Sequence, residues 1–246
     1  MSVIDTLKGL YYRRNSDSYI SYLRSQGIKI GDNCVFRAPN SVRIDVSRPS
    51  LVSIGDNVDM NKNFQIMTHD WASMVFRAKF HDLINSSGAV KIGSNVYFGT
   101  DVVVLKGVSI GDNCVIGAGS VVSKNIPSNC VAAGVPCKVV CSINDYYEKR
   151  KTTAFNEAIE YIRSIFERFG RRPYLSEMRE EFIYFVNAEN VIDYEKQGVP
   201  IRFQLGNAYN DWIKDHQTSR FKNFDEFVDY ALAEREDTID CINDKQ

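Results

Sequence analysis

The sequence predicts a mainly β fold, a parallel β-helix with a short helical cap before it and an α-helical domain after it. Three observations lead there. Large apolar residues recur every six positions at Ile30, Phe36 and Val42 and at Ile54, Met60 and Ile66, then without a miss through Ile92, Phe98, Val104, Ile110, Ile116 and Val122. Two positions before most of them stands a second, usually smaller residue: Val52, Val58, Val96, Val102, Val108, Cys114 and Ser120. Gly follows many of the large residues, and Gly-Asp-Asn begins at Gly31, Gly55 and Gly111, as corners that require a positive φ demand. A period of six is not helical, and the simple alternation of an antiparallel sheet does not set a glycine on a six-residue beat. Three hexads close one triangular coil, with both apolar slots pointing inward.

The elements follow in order. Residues 1–29 carry apolar and aromatic positions at helical spacing and are expected to cap the open first coil, whose edge groups otherwise invite pairing. Residues 30–143 form the β-helix, with Arg48 standing in the slot after Val42. The registers before and after the break differ by two positions, so residues 68–89 must leave the prism as an excursion. Loops of that length inside a regular solenoid tend to be functional. Residues 144–246 change to a 3.6-residue period, as in FNEAIEYIRSIFERF and FDEFVDYALAERED, with breaks at GRRP and QGVP. That is a helical domain whose aromatics, among them Tyr161, Phe166, Phe169, Phe182, Phe185, Phe203 and Trp212, are expected in its core.

The net charge of -1 over 246 residues provides no basic field for nucleic acid and no general attraction to an anionic membrane. No stretch has the length of a membrane span and the N-terminus lacks the apolar run of a signal peptide, so a cytoplasmic location without membrane insertion is expected. The six cysteines have no C-x-x-C spacing and read as reduced, packed thiols.

The run GAVKIGSNVYFGTDVVVLKGVSIGDNCVIGAGSVVSKNIPSNCVAAGVPCKVV closely resembles the C-terminal half of the galactoside and maltose O-acetyltransferases, and more broadly the O-antigen and capsule acetyltransferases built on the same hexapeptide repeat. Its specific part is IGAGSVVSKNIP followed by VAAGVPCKV, and the likeness extends from about Gly27 to Ile143. The resemblance implies a left-handed β-helix, a homotrimer with sites at the subunit boundaries, acetyl-CoA as acyl donor and a sugar as acceptor. The handedness comes from the resemblance alone, since it is an exception to the usual crossover rule.

Acetyl transfer from a thioester to a hydroxyl needs a base for the hydroxyl proton. His69, in QIMTHDW where the coil gives way to the excursion, stands where the resembling family carries its catalytic histidine. Asp70 is a candidate to orient it or to bind acceptor, and Trp71 to stack on a sugar. The match further places Tyr97, Thr100, Ala118, Ser123, Lys124 and Lys138 along the acetyl-CoA groove. Two departures bear on the acceptor and the nucleotide. Cys141 replaces a second phosphate-binding arginine, and Arg37 and Asp45 stand near the place of an acceptor-binding Asn that is not reproduced. Direct attack is expected, since no Ser or Cys lies in a nucleophile motif. The pairs His69-Asp70 and His81-Asp82 lack the spacing of a zinc motif, so no metal is expected, and His216 reads as a surface residue. The main reading is an acetyl-CoA-dependent saccharide O-acetyltransferase of surface polysaccharide synthesis. Two alternatives are N-acetylation of a nucleotide-linked amino sugar and a non-enzymatic structural or metal-binding β-helix.

Overall fold

The computed structural model describes residues 11–233, which divide into two compact units, the first ending at Lys149 and the second beginning at Arg150. The division falls inside a long helix that begins at Ile143, six residues past the domain limit expected from the sequence. The first ten residues of the expected N-terminal cap lie outside the described residues. Within them, α1 (Ser16–Ser25) starts at Asn15, whose side chain accepts the Ser18 amide at 2.9 Å. Its buried residues Tyr19, Ile20 and Leu23 recur at helical spacing and join the core of the coils, with Tyr19 packed on Phe36 at 5.2 Å between ring centroids.

The coils are stacked triangles. The first holds β1 (Lys29–Ile30), β2 (Val35–Phe36) and β3 (Arg43–Ile44); the second holds β4 (Val52–Ile54), β5 (Val58–Met60) and β6 (Gln65–Ile66). After the excursion and its helix α2 (Ser73–Phe80) come β7 (Val90–Ile92), β8 (Val96–Phe98) and β9 (Val103–Val104), then β10 (Ser109–Ile110), β11 (Cys114–Ile116) and β12 (Val121–Val122). Like strands pair in parallel into three sheets: sheet A (β1, β4, β7, β10), sheet B, which runs β2, β5, β8, β11 and β13 (Cys130–Ala133), and sheet C (β3, β6, β9, β12). At the far end β14 (Lys138–Ser142) turns back antiparallel on β13 and closes that edge.

The registers stack like on like, as with Met60 on Phe98 and Phe98 on Ile116. Each such fully buried side chain stabilises the prism by about 1.5–3 kcal/mol relative to exposure. Ser120 occupies an inward slot because its hydroxyl is satisfied, donating to Gly117 O at 2.6 Å and accepting from Gly134 N at 3.1 Å.

One expectation fails in the first coil. Val42 is not the large residue of its strand; Ile44 is, paired with Ile66, while Arg43 N bonds Phe64 O at 2.9 Å. Extra residues between Phe36 and Arg43 lengthen that corner and shift the beat by two, so Arg48 falls outside any inward slot.

The cysteines Cys34, Cys114, Cys130 and Cys137 are buried and free, Cys141 is half-buried and free, and Cys241 lies outside the described residues. Cys114 and Cys130 each donate to Pro127 O at 3.1 Å. No described helix is long and apolar enough to cross a membrane.

The second unit packs the later turns of α3 (Ile143–Phe169), through Ile159, Ile162 and Ile165, against Met178, Phe182, Phe185, Val186, Phe227 and Val228. Phe182 and Phe185 are core as expected, but Tyr161, Phe166, Phe169 and Phe203 are exposed. His216 is not a free surface group: it stacks on Trp212 at 4.3 Å and its Nδ1 bonds Trp212 O at 2.8 Å.

Candidate active site

The corner where sheet C passes into sheet A gathers residues distant in sequence. Asp45 follows β3, Thr68, His69 and Asp70 follow β6, Lys106 follows β9, and Ser123 and Lys124 follow β12. The parallel ladder sets them one above another, through Asp45 N to Ile66 O at 3.2 Å, Met67 N to Val104 O at 3.0 Å and Leu105 N to Val122 O at 3.0 Å.

At this corner His69 Nδ1 lies 2.7 Å from Asp45 Oδ2. The same carboxylate oxygen accepts from the Thr68 hydroxyl and, at 3.3 Å, from the Thr68 amide. The other oxygen accepts from Ser47, from its amide at 3.0 Å and its hydroxyl at 2.7 Å. Burial alone would raise the Asp45 carboxyl, but the hydrogen bonds from Thr68, Ser47 and His69 outweigh it and hold the group well below the usual carboxylate range. An ionised carboxylate only accepts, so the network assigns a proton to Nδ1 of His69, and in the neutral ring the lone pair then falls on Nε2. The His69 side chain is 36% exposed against 13% for Asp45. The ring thus has a shielded side that is held and an open side that can meet a reactant.

The excursion leaves and returns as a short antiparallel pair, with a bridge between His69 and Ser87, Gly88 N on Thr68 O at 2.9 Å and Asp70 N on Ser86 O at 3.3 Å. Asp70 Oδ1 accepts the Ala72 amide at 3.0 Å, while its Oδ2 accepts from Ser86 Oγ at 3.0 Å and from Lys106 Nζ. Lys106 also donates to Ser86 Oγ. The Lys106 bond, with the Ala72 amide next, lowers the Asp70 carboxyl to about 2.

These contacts change the roles expected from the sequence. Asp70 turns away from His69, and Asp45 rather than Asp70 orients the ring. Both oxygens of each aspartate already accept hydrogen bonds from this chain, with the Asp70 side chain 38% exposed and that of Asp45 13%. Arg37 is held on sheet B by Asp59, with Nε 3.0 Å from each carboxylate oxygen, away from the histidine corner. Trp71 is 67% exposed, and Arg37 keeps about half of its side chain, 51%, exposed.

The donor-groove candidates fall at two corners. Ser123 and Lys124 share the histidine corner and are exposed. Thr100 and Ala118 turn the corner between sheets B and C, where Thr100 O accepts Gly119 N at 2.8 Å and a Cβ on Gly99 would stand 2.5 Å from Ala118 N. Tyr97 faces outward from β8, its hydroxyl accepting from Asn61 at 3.4 Å, and Lys138 is exposed on β14. His81 ends α2 at φ 55 and is exposed, and the described residues contain no cluster of three or more candidate metal ligands.

Lys106, Thr68 and Ser86 were not singled out in the sequence. A signal existed for two of them: Thr68, Lys106 and Lys124 each stand two residues after a large inward residue (Ile66, Val104, Val122), the position that every coil presents at this corner.

A family profile described as bacterial transferase hexapeptide (six repeats) matches residues 89–124. The galactoside O-acetyltransferase of Escherichia coli (strain K12) is 46% identical over 139 residues, 53% of this chain and 63% of that protein, so the chain spans under two thirds of it. Protein CapG of Staphylococcus aureus is 34% identical over 127 residues, 52% of this chain and 73% of CapG. Among solved structures, the maltose O-acetyltransferase from Clostridium difficile 630 matches at 33% identity and a TM-score of 0.36, covering 51% of this chain and 75% of that one. A galactoside acetyltransferase in complex with coenzyme A matches at 28% identity and 0.38, covering 59% and 82%. On its repeat and on these relatives, the chain belongs to the hexapeptide-repeat acetyltransferase family.

Proposed function

We propose that the protein is an acetyl-CoA-dependent O-acetyltransferase acting on a saccharide, in the synthesis of a surface polysaccharide, with His69 as general base. The observation that carries the chemistry is the Asp45–His69 pair, 2.7 Å apart at the mouth of the excursion. With Nδ1 donating to an ionised carboxylate, Nε2 takes the proton of the acceptor hydroxyl as its oxygen attacks the thioester carbonyl. The tetrahedral intermediate collapses, the carbon–sulfur bond breaks, and the imidazolium returns that proton to the departing CoA sulfur. Asp45 stabilises the imidazolium between the two transfers. No acyl-enzyme and no metal enter this scheme.

Tyr97, Thr100, Ala118, Ser123, Lys124 and Lys138 are the residues proposed to hold acetyl-CoA, the lysines toward its phosphates. Thr100 and Ala118 turn one corner of the prism and His69 another, so a groove that uses both is best made between two copies of the chain. This is the reason, within the proposal, for a homotrimer; the left hand of its coils is carried over from the family resemblance alone. Trp71 supplies an apolar face for the sugar ring.

The test is CoA release by the purified protein from acetyl-CoA with a panel of hydroxy and amino sugars. Turnover of hydroxy sugars is expected, and His69→Ala is expected to lower it by about 10²- to 10⁴-fold. A variant as fast as the parent removes His69 from the chemistry, and turnover confined to amino sugars replaces the oxygen acceptor with a nitrogen one.

A further inference from the structure

We propose that Lys106 and Asp70 form a latch across the base of the excursion that positions His69, making both of them positioning residues for acyl transfer. The inference rests on the reading of His69 as the base.

Met67 is the last residue after β6 that the coil ladder holds, through its amide on Val104 O at 3.0 Å, and His69 beyond it is bridged to Ser87 of the returning limb. On its N-terminal side, Thr68 is fixed by Asp45 and by the Gly88 amide at 2.9 Å. On its C-terminal side the restraint comes from Asp70. One Asp70 oxygen takes the Ala72 amide at 3.0 Å; the other takes Ser86 Oγ at 3.0 Å and the Lys106 ammonium. Because Lys106 also donates to Ser86, one cation ties the outgoing and returning limbs together one residue beyond the imidazole.

The platform is the next coil. Lys106 stands two residues past the end of β9, after Leu105, and precedes Gly107, which turns the corner at φ 78. The returning limb rests on that corner: a Cβ on Gly88 would lie 2.7 Å from Gly107 N and 2.9 Å from Gly107 Cα. Both side chains of the latch are partly shielded, 31% exposed for Lys106 and 38% for Asp70. The geometry of the Asp45–His69 bond therefore depends on a residue that touches neither partner. A displacement of about 1 Å at a reacting group can cost about 10²-fold in rate, so a latch of this kind matters to turnover.

The experiment is a double-mutant cycle on the full chain with Lys106→Met and Asp70→Asn, reading kcat and the KM for acetyl-CoA with the fastest hydroxy sugar of the panel. Each single change is expected to lower kcat about 10- to 100-fold while that KM stays within about twofold, and the double variant to fall no further than the worse single one. Losses that multiply in the double variant, losses confined to KM, or an unchanged kcat in both singles overturn the latch. Ser86→Ala keeps the idea falsifiable if Lys106→Met does not fold: it removes a neutral link, and its loss is expected to vanish in the Asp70→Asn background.

A second readout does not depend on turnover. Nitrogen NMR of the imidazole is expected to show the Nδ1–H tautomer of His69 in the parent and a mixture in Lys106→Met; an unchanged tautomer overturns the positioning role. The two readings separate cleanly. An active His69→Ala removes the base, whereas an inactive His69→Ala beside a fully active Lys106→Met removes only the latch.

Discussion

Two corners of the same prism are built from the same kind of coil and do different things. Where sheet A turns into sheet B, each coil repeats the last. Asn33, Asn57, Asn95, Asn113 and Asn129 all take positive φ, and their amides run as a ladder from Asn57 to Asn95 at 3.1 Å, to Asn113 at 3.1 Å and to Asn129 at 2.9 Å. Where sheet C turns into sheet A, the coils present Asp45, then Thr68 with His69, then Lys106, then Ser123 with Lys124; the last two repeat a lysine, but the first two share no group with them or with each other. The first corner satisfies itself by repetition. The second brings unlike residues of neighbouring coils together, and that is how a hydrogen-bonded carboxylate–imidazole pair is assembled from a repeat.

The largest effect that tests this contrast lies at Asp45. Asp45→Asn keeps the size of the side chain but removes the charge that fixes the His69 tautomer, and kcat of the folded variant is expected to fall about 10²- to 10⁴-fold, alongside a lower melting temperature from the lost carboxylate bonds. Steady-state kinetics with thermal melts checks it. A kcat near that of the parent makes the histidine corner as purely architectural as the asparagine ladder.

The same contrast explains what the sequence disclosed. The inward slots from Ile92 to Val122 were legible because they depend only on local spacing, and their registers pair like with like. His69 was named because the family motif surrounds it, and what the stacked coils add is its bond to Asp45. The shift from Val42 to Ile44 was not legible, because the length of one corner is set by how residues 38–41 pack and not by the beat. The partner of His69 was hidden for a related reason. Asp45 lies 24 residues away and Lys106 is 36 from Asp70, and both meetings exist only once the coils stack and the excursion closes. Asp45 was named beside the place of an acceptor-binding residue; its bond to the His69 ring exists only once the coils stack.

A smaller effect sharpens the other side of the comparison. Asn95 has φ 56 and sits within the amide ladder. Asn95→Gly loses the ladder bonds but adopts that backbone without strain, whereas Asn95→Ala loses the bonds and keeps a Cβ in the left-handed region without the polar side chain that lets Asn occupy it. Denaturant unfolding is expected to place Asn95→Gly about 0.5–1.5 kcal/mol below the parent and Asn95→Ala a further 1–2 kcal/mol or so below that. Neither is expected to alter kcat. A drop in kcat for Asn95→Gly without loss of fold merges the two corners into one functional unit and removes the distinction.

The smallest effect is the slope of stability with pH, which the two corners must share unequally. Asp45 has its carboxyl lowered in the folded state, so its contribution is fully present above the unfolded-state value of about 3.9 and is lost as pH falls through that region and below. Asparagine binds no proton there. The stability of Asp45→Asn is therefore expected to fall less steeply than that of the parent below about pH 4, while Asn95→Gly, which leaves every carboxylate in place, runs parallel to the parent. Asp70 and Glu177, each lowered to about 2, titrate in all three proteins and cancel in the differences. If the acid limbs of the parent and Asp45→Asn coincide, the carboxylate of Asp45 is no better held in the fold than in the unfolded chain, and it cannot be the fixed charge that sets the tautomer of His69.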